Sequence, residues 1–142
     1  MGENILVPYD DSPLSQRALA RAITKHPDDR ITVLYVIDPL LAVYEAEAKG
    51  LPSASRWYDR MTERAEEICA EASARAGEHD CEISTATENG PPARTILEYA
   101  EDHGIDHIIM GSHGREGVSR LILGSVAERV MRQAPIPVTI VR

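Results

Sequence analysis

The chain reads as an α/β protein: an open, Rossmann-like parallel sheet of five strands with helices on both faces. Three observations predict this. Short apolar runs alternate with amphipathic helical segments along the chain, the pattern of a parallel sheet with crossover helices. Most of the apolar runs are continuous rather than alternating, as strands buried on both faces require. The length of 142 residues suits a single domain spanning 1–142.

The first strand is Asn4-Ile5-Leu6-Val7-Pro8. Tyr9-Asp10-Asp11-Ser12-Pro13 ends it. Ser12 is a good N-cap and Pro13 suits the first helical position. The helix that follows runs to about His26, with Leu14, Ala18, Leu19, Ala22 and Ile23 along one face. Arg30 to Ile37 form a second buried strand. Residues 38 to 56 carry Pro39, Gly50 and Pro52, so a loop with at most a short helix is expected there. From Ser55 to about Ala76 a long helix is marked by Met61, Ala65, Ile68, Cys69 and Ala72 at helical spacing.

Cys81 to Thr87 alternate as a third strand. Asn89-Gly90-Pro91-Pro92 turns the chain into a helix carrying Ala93, Ile96, Leu97 and Ala100. His107 to Met110 form the fourth strand. A helix from Ser125 to Gln133 and a fifth strand, Val138 to Val141, complete the alternation.

The formal net charge is −8, a field that repels a phosphate-rich duplex and argues against nucleic-acid binding. No run of about 20 apolar residues marks a membrane span. The N-terminal residues carry no basic stretch, and the apolar ones behind them read as a strand, so no signal peptide is expected. The two cysteines, Cys69 and Cys81, form no C-x-x-C pair and suit core packing in a reducing cytoplasm.

Gly111-Ser112-His113-Gly114-Arg115-Glu116-Gly117 follows the fourth strand, and Gly124-Ser125 opens the last helix. Two glycines three apart let a backbone turn with positive φ and approach a ligand closely. Unpaired N–H groups at a helix start, with the helix dipole, make an anion site. Ser125 could cap that helix and donate its hydroxyl to a phosphate; Arg115 could add a charge-assisted contact. The plainer reading is a glycine-rich surface loop with an ordinary cap, and local chemistry leaves both open. No G-x-x-x-x-G-K-[ST] is present, and the turn after the first strand has no glycine, which excludes a P-loop and the dinucleotide fingerprint.

The spacing G-x-x-G, nine residues, then G-[ST], on Gly111, Gly114, Gly124 and Ser125, resembles the ATP-binding signature of the universal stress protein family. Ile5-Leu6-Val7-Pro8-Tyr9-Asp10-Asp11-Ser12 resembles that family's opening. Leu34-Tyr35-Val36-Ile37 resembles its second strand, and Pro135-Ile136-Pro137-Val138 its ending. The resemblance implies the strand order 3-2-1-4-5. It also implies roles. Pro8 and Asp10 would flank the adenosine, with Tyr9 standing where the family places a smaller apolar residue; its ring would pack on a helix or partly cover the base. Val36 would meet adenine through its backbone. Met110 and the stretch Gly111, Ser112, His113, Gly114, Arg115, Glu116 and Gly117 would wrap ribose and phosphates, His113 chiefly through its backbone. Gly124, Ser125, Val126 and Ala127 would hold the terminal phosphates.

The cofactor implied is ATP with Mg²⁺ or Mn²⁺, Asp10 being the carboxylate for the cation; Asp11 is expected in the cap of the first helix. The resemblance further implies a homodimer through the C-terminal strand, Val138 to Val141, acting as a sensor or switch toward a protein partner. No nucleophile with a positioned base is visible, so at most slow ATP hydrolysis is expected. A slow ATPase or phosphotransfer enzyme, and a nucleotide-independent interaction module, are the alternatives. His103 and His107 lie four apart, but Gly104 between them keeps them off a common helical face, which argues against a metal pair.

Overall fold

The computed structural model describes residues 2–48, 54–113 and 123–142. Its elements are β1 (Asn4–Pro8), α1 (Pro13–Lys25), β2 (Arg30–Ile37), α2 (Pro39–Ala48), α3 (Ala54–Gly77), β3 (Ser84–Asn89), α4 (Pro92–Asp102), β4 (His107–Gly111), α5 (Ser125–Gln133) and β5 (Val138–Val141). The strands form one sheet in the order β3-β2-β1-β4-β5, and every pairing is parallel. The expected architecture and strand order are both present.

Alternation along the central strands divides the core into two layers. Ile5 and Val7 of β1 face Ala18, Leu19 and Ala22 of α1 and Ala65, Ile68 and Ala72 of α3. Leu6 of β1, Leu34 of β2 and Ile108 of β4 face the other way, onto Ala93, Ile96 and Ala100 of α4 and Ala127 and Val130 of α5. The small residues on these helices let them lie close against a sheet of branched side chains.

Local signals set most boundaries. The Ser12 hydroxyl accepts the Ser15 N–H at 3.3 Å, with Pro13 at the start of α1, as expected. The third strand differs from expectation. It begins at Ser84 rather than Cys81, and it runs to Asn89. The Cys81 N–H donates back to the Ala76 carbonyl at 3.0 Å, and Asp80 adopts φ 54°, so these residues belong to the turn that closes α3. Two further residues stay in the strand because β2 remains in register as far as Ile37↔Asn89. Residues 39–48 form a ten-residue helix, the short helix allowed for that stretch.

The rim at the N-terminal ends of the strands is tied by short polar contacts. The Asp106 N–H donates to the Asn4 carbonyl and the Asn4 N–H to Asp106 Oδ2, both at 2.8 Å. His107 bonds Thr139 Oγ1 at 2.8 Å across β4 and β5. Desolvation, then the neighbouring His26, holds the His107 imidazole below its usual pKa.

Candidate functional site

The strands all run the same way, so their C-terminal ends share one rim. β1 and β4 are neighbours there, and the helices that follow them, α1 and α5, pack on opposite faces. This is the topological switch point of an open α/β sheet, where ligands lodge beyond the strand ends. The hydrogen-bonded register between the two strands is short. β1 and β4 pair only at Ile5↔His107 and Leu6↔Ile108. On its other side β4 stays in register with β5 as far as Gly111↔Val141.

β2 overruns β1 on the other side. The last β1–β2 pair is Pro8↔Leu34, three residues short of the end of β2. The Tyr9 N–H donates to the Leu34 carbonyl at 2.9 Å, which sets the parity of β2. Backbone polar groups two residues apart on a strand point the same way. Those of Val36 therefore point to the β1 side, beyond the end of its ladder. This backbone is where the resemblance puts adenine.

The turn after β1 is held by its own side chains. Asp10 Oδ1 accepts the Ser12 N–H at 3.0 Å, while Ser15 Oγ donates to the Ser12 carbonyl at 2.9 Å. Asp11 sits at φ 62°, a left-handed conformation that Asp tolerates. Its Oδ1 takes the Gln16 amide at 3.0 Å and its Oδ2 lies 3.7 Å from Arg64 on α3. Asp10 accepts from the Ser12 backbone, and the Ser12 side chain caps α1.

Tyr9 is 3% exposed and its ring lies in the core layer of α1 and α3, the first of the two places considered for it. Its hydroxyl is buried and meets no hydrogen-bond partner at bonding geometry among the described residues. Burial pushes the phenol up to about 12, outweighing the nearby Arg75 guanidinium, which pulls it down. Tyr9→Phe removes an unsatisfied buried hydroxyl, so stability should hold or rise by about 1 kcal/mol. A urea midpoint clearly below the parent's would show that the hydroxyl has a partner after all.

Across the crevice stands the stem of the glycine segment. The Ser112 N–H donates to the Val141 carbonyl at 2.8 Å, and the Gly124 N–H donates to the Ser112 carbonyl at 2.6 Å. The two ends of the segment are thus clasped at the end of β4. Ser112 Oγ and His113 Nδ1 are 3.2 Å apart. Neither Gly111 nor Gly124 has positive φ, contrary to the expectation for Gly111. Both are small because protein backbone lies against them. A Cβ on Gly111 would sit 2.8 Å from Leu14 Cβ and 3.1 Å from its carbonyl carbon. One on Gly124 would sit 2.9 Å from the Ser112 carbonyl oxygen.

Gly124, not Ser125, is the N-cap of α5, at φ −64° and ψ 154°. Ser125 is the first helical residue, so no side chain caps this helix. The N–H groups of Ser125, Val126 and Ala127 lie in the first turn, before the ladder begins with Glu128 N–H to the Gly124 carbonyl at 2.9 Å. Met110 is buried on the α5 side of β4. Gly114, Arg115, Glu116 and Gly117 lie outside the described residues.

Sequence reasoning missed two cations at this rim. A cavity of about 450 Å³ beside α1 is lined by Leu14, Gln16, Arg17, Ser112, His113 and Arg142, among others. Arg17 Nη1 donates to the Arg142 carbonyl at 3.1 Å. Arg17 stands on the exposed face of α1 and Arg142 ends the chain, so no periodicity or motif marked either.

This geometry can be set beside known proteins. A model of the universal stress protein family matches residues 1–142. The chain belongs to that family. The universal stress protein MJ0531 of Methanocaldococcus jannaschii is 35% identical over 150 residues, covering 99% of this chain and 85% of the relative. A universal stress protein of Thermus aquaticus is 34% identical over 146 residues, covering all of both chains. The solved structure of MJ0577, a universal stress protein of M. jannaschii, superimposes with a TM-score of 0.84 at 28% identity, over 99% of this chain and 96% of that one. A universal stress protein crystallised with cAMP shares the fold at a TM-score of 0.71 and 22% identity, over 99% and 97% of the two chains. Among the described residues, no helix is long and apolar enough to cross a membrane.

Proposed function

We propose that this universal stress protein binds ATP in the crevice between the ends of β1 and β4. The observation that carries the reading is the switch point between β1 and β4, flanked by the Asp10 turn and the clasped stem of Ser112 and Gly124. Adenine would meet the backbone of Val36, and Pro8 and Asp10 would flank the adenosine. The stem residues and the first-turn N–H groups of α5 suit phosphates, which helix N-termini attract through unpaired donors and dipole. A protein of this fold holds cAMP, so the fold itself accommodates an adenine nucleotide.

A divalent cation would travel with the phosphates. Mg²⁺ takes one or two carboxylates and fills its shell with phosphate oxygens and water. Asp10 fits that demand: the Ser12 N–H fixes its carboxylate at the crevice wall. The cation would neutralise phosphate charge in a chain of net charge −8.

The proposal includes a homodimer and a switch. β5 is an edge strand whose four residues are all half-buried. An edge of this kind invites pairing with a second copy. Gly111↔Val141 ties that edge to the glycine stem, so nucleotide occupancy can alter the surface offered to a partner.

Calorimetry of nucleotide-stripped protein with ATP and Mg²⁺ tests the reading. Saturable binding is expected, weakened about tenfold in Asp10→Ala, the size of one lost charged contact. Absence of heat at millimolar ATP would sink it.

A further inference from the structure

A second site lies at the opposite rim of the sheet. Glu3, His26 and Asp29 each bring one ligand atom, and these atoms all lie within 4.8 Å of one another. They come from three different places: the residue before β1, the C-cap of α1, and the turn into β2. His26 Nδ1 is 2.7 Å from Asp29 Oδ2. The Glu3 N–H donates to Asp29 Oδ1 at 2.8 Å.

The backbone under them is tied as firmly as the side chains. The Asp29 N–H donates to the His26 carbonyl at 3.2 Å, and the Arg30 N–H to the Glu3 carbonyl at 2.9 Å. Gly2 permits this closeness, since a Cβ there would sit 2.6 Å from the Asp28 carbonyl oxygen and 2.9 Å from Asp29 Oδ1. The ring of His107 stands edge-on to that of His26, centroids 5.5 Å apart.

We infer that Glu3, His26 and Asp29 form a binding site for a divalent transition-metal ion of the zinc class. One imidazole nitrogen with two carboxylate oxygens is a donor set that suits Zn²⁺, and two negative ligands balance its charge. Water would complete the shell. Coordination through Nδ1 would leave the ring proton on Nε2. A bound ion would fasten the start of β1 to the end of α1. The site stands at the far rim from the nucleotide crevice, and its failure would leave that reading untouched.

The test is Zn²⁺ titration of the chelator-treated full chain, followed by calorimetry, melting and amide NMR. One equivalent should bind with a dissociation constant below about 100 µM. It should raise Tm and shift the amides of Glu3, His26 and Asp29 rather than those of Asp10 and Ser125. Glu3→Gln should weaken binding at least about tenfold. Glu3 is exposed, so that variant keeps the fold even if His26→Gln, which alters a helix cap, does not. Cys81→Ser should bind zinc like the parent, because the thiol is not a ligand here. Undiminished affinity in Glu3→Gln, amide shifts elsewhere, or no binding at that concentration would overturn the site.

Discussion

Gly111→Val should both destabilise the protein and abolish nucleotide binding. The added branch cannot turn away, because a Cβ alone would already stand 2.8 Å from Leu14 Cβ and 3.1 Å from the Leu14 carbonyl carbon. Those atoms belong to the first turn of α1, which is fixed by the Ser12 cap and by Ser15 Oγ on the Ser12 carbonyl. Either α1 lifts or the end of β4 sinks, and overpacking of this sort costs about 1–3 kcal/mol. Both movements reach the proposed crevice, since α1 begins at the Asp10 turn and Gly111 precedes the stem. Urea unfolding should show a lower midpoint with an unchanged slope, and calorimetry should show the loss of ATP heat. A variant with the parent's midpoint would mean that α1 does not press on this glycine.

Leu34→Ala should be the more damaging change to the fold. Leu34 is 1% exposed and fills the layer between the sheet and the α4–α5 side. Truncating a buried leucine costs about 2–5 kcal/mol, the spread reflecting how far the cavity collapses. Against a total stability of about 5–15 kcal/mol that is a large fraction. At about 3 °C per kcal/mol for a chain of this length, Tm should fall by about 6–15 °C. The Leu34 carbonyl that receives the Tyr9 N–H is backbone and survives the change. Binding should therefore weaken less than stability at temperatures where the variant stays folded. A Tm within a degree of the parent's would contradict the packing described for this layer.

These two residues show what was legible and what was not. Leu34 announced itself, since a continuous apolar strand has to be buried. β1, α5 and β5 were equally plain, bounded by prolines and a glycine. Gly111 was legible as an unusual residue, yet for another reason. Its spacing to Gly114 and Gly124 suggested a backbone shaped around a ligand, whereas in the fold Leu14 and Ser112 crowd Gly111 and Gly124. A sequence shows that a Cβ is missing but not which neighbour excludes it.

Other misreadings have the same origin in long-range contact. Cys81 to Ile83 alternate like a strand, but the C-terminal turn of α3 takes up the Cys81 N–H first. Asp10 and Asp11 are chemically alike, and only the left-handed backbone at Asp11 sends one carboxylate to Ser12 and the other toward Gln16 and Arg64. The Glu3, His26 and Asp29 cluster left no motif, because its members are drawn together by a turn and by the start of a strand.

The uneven stitching of the sheet has a mechanical meaning. β2 and β3 share six register pairs, Thr32↔Ser84 to Ile37↔Asn89, whereas β1 and β4 share Ile5↔His107 and Leu6↔Ile108. The β1–β4 junction is therefore the seam with the fewest register pairs, riveted at one end by Asn4 and Asp106. Partial opening should follow that line. It would separate β1, β2 and β3, with α3 on them, from β4 and β5, with amide protons beside the seam exchanging before those of β2 and β3, while α1 bridges the two sides through Leu14 on Gly111 and Arg17 on Arg142. A guest bound across the strand ends at that seam would act as a clasp, adding to the bridge that α1 already makes.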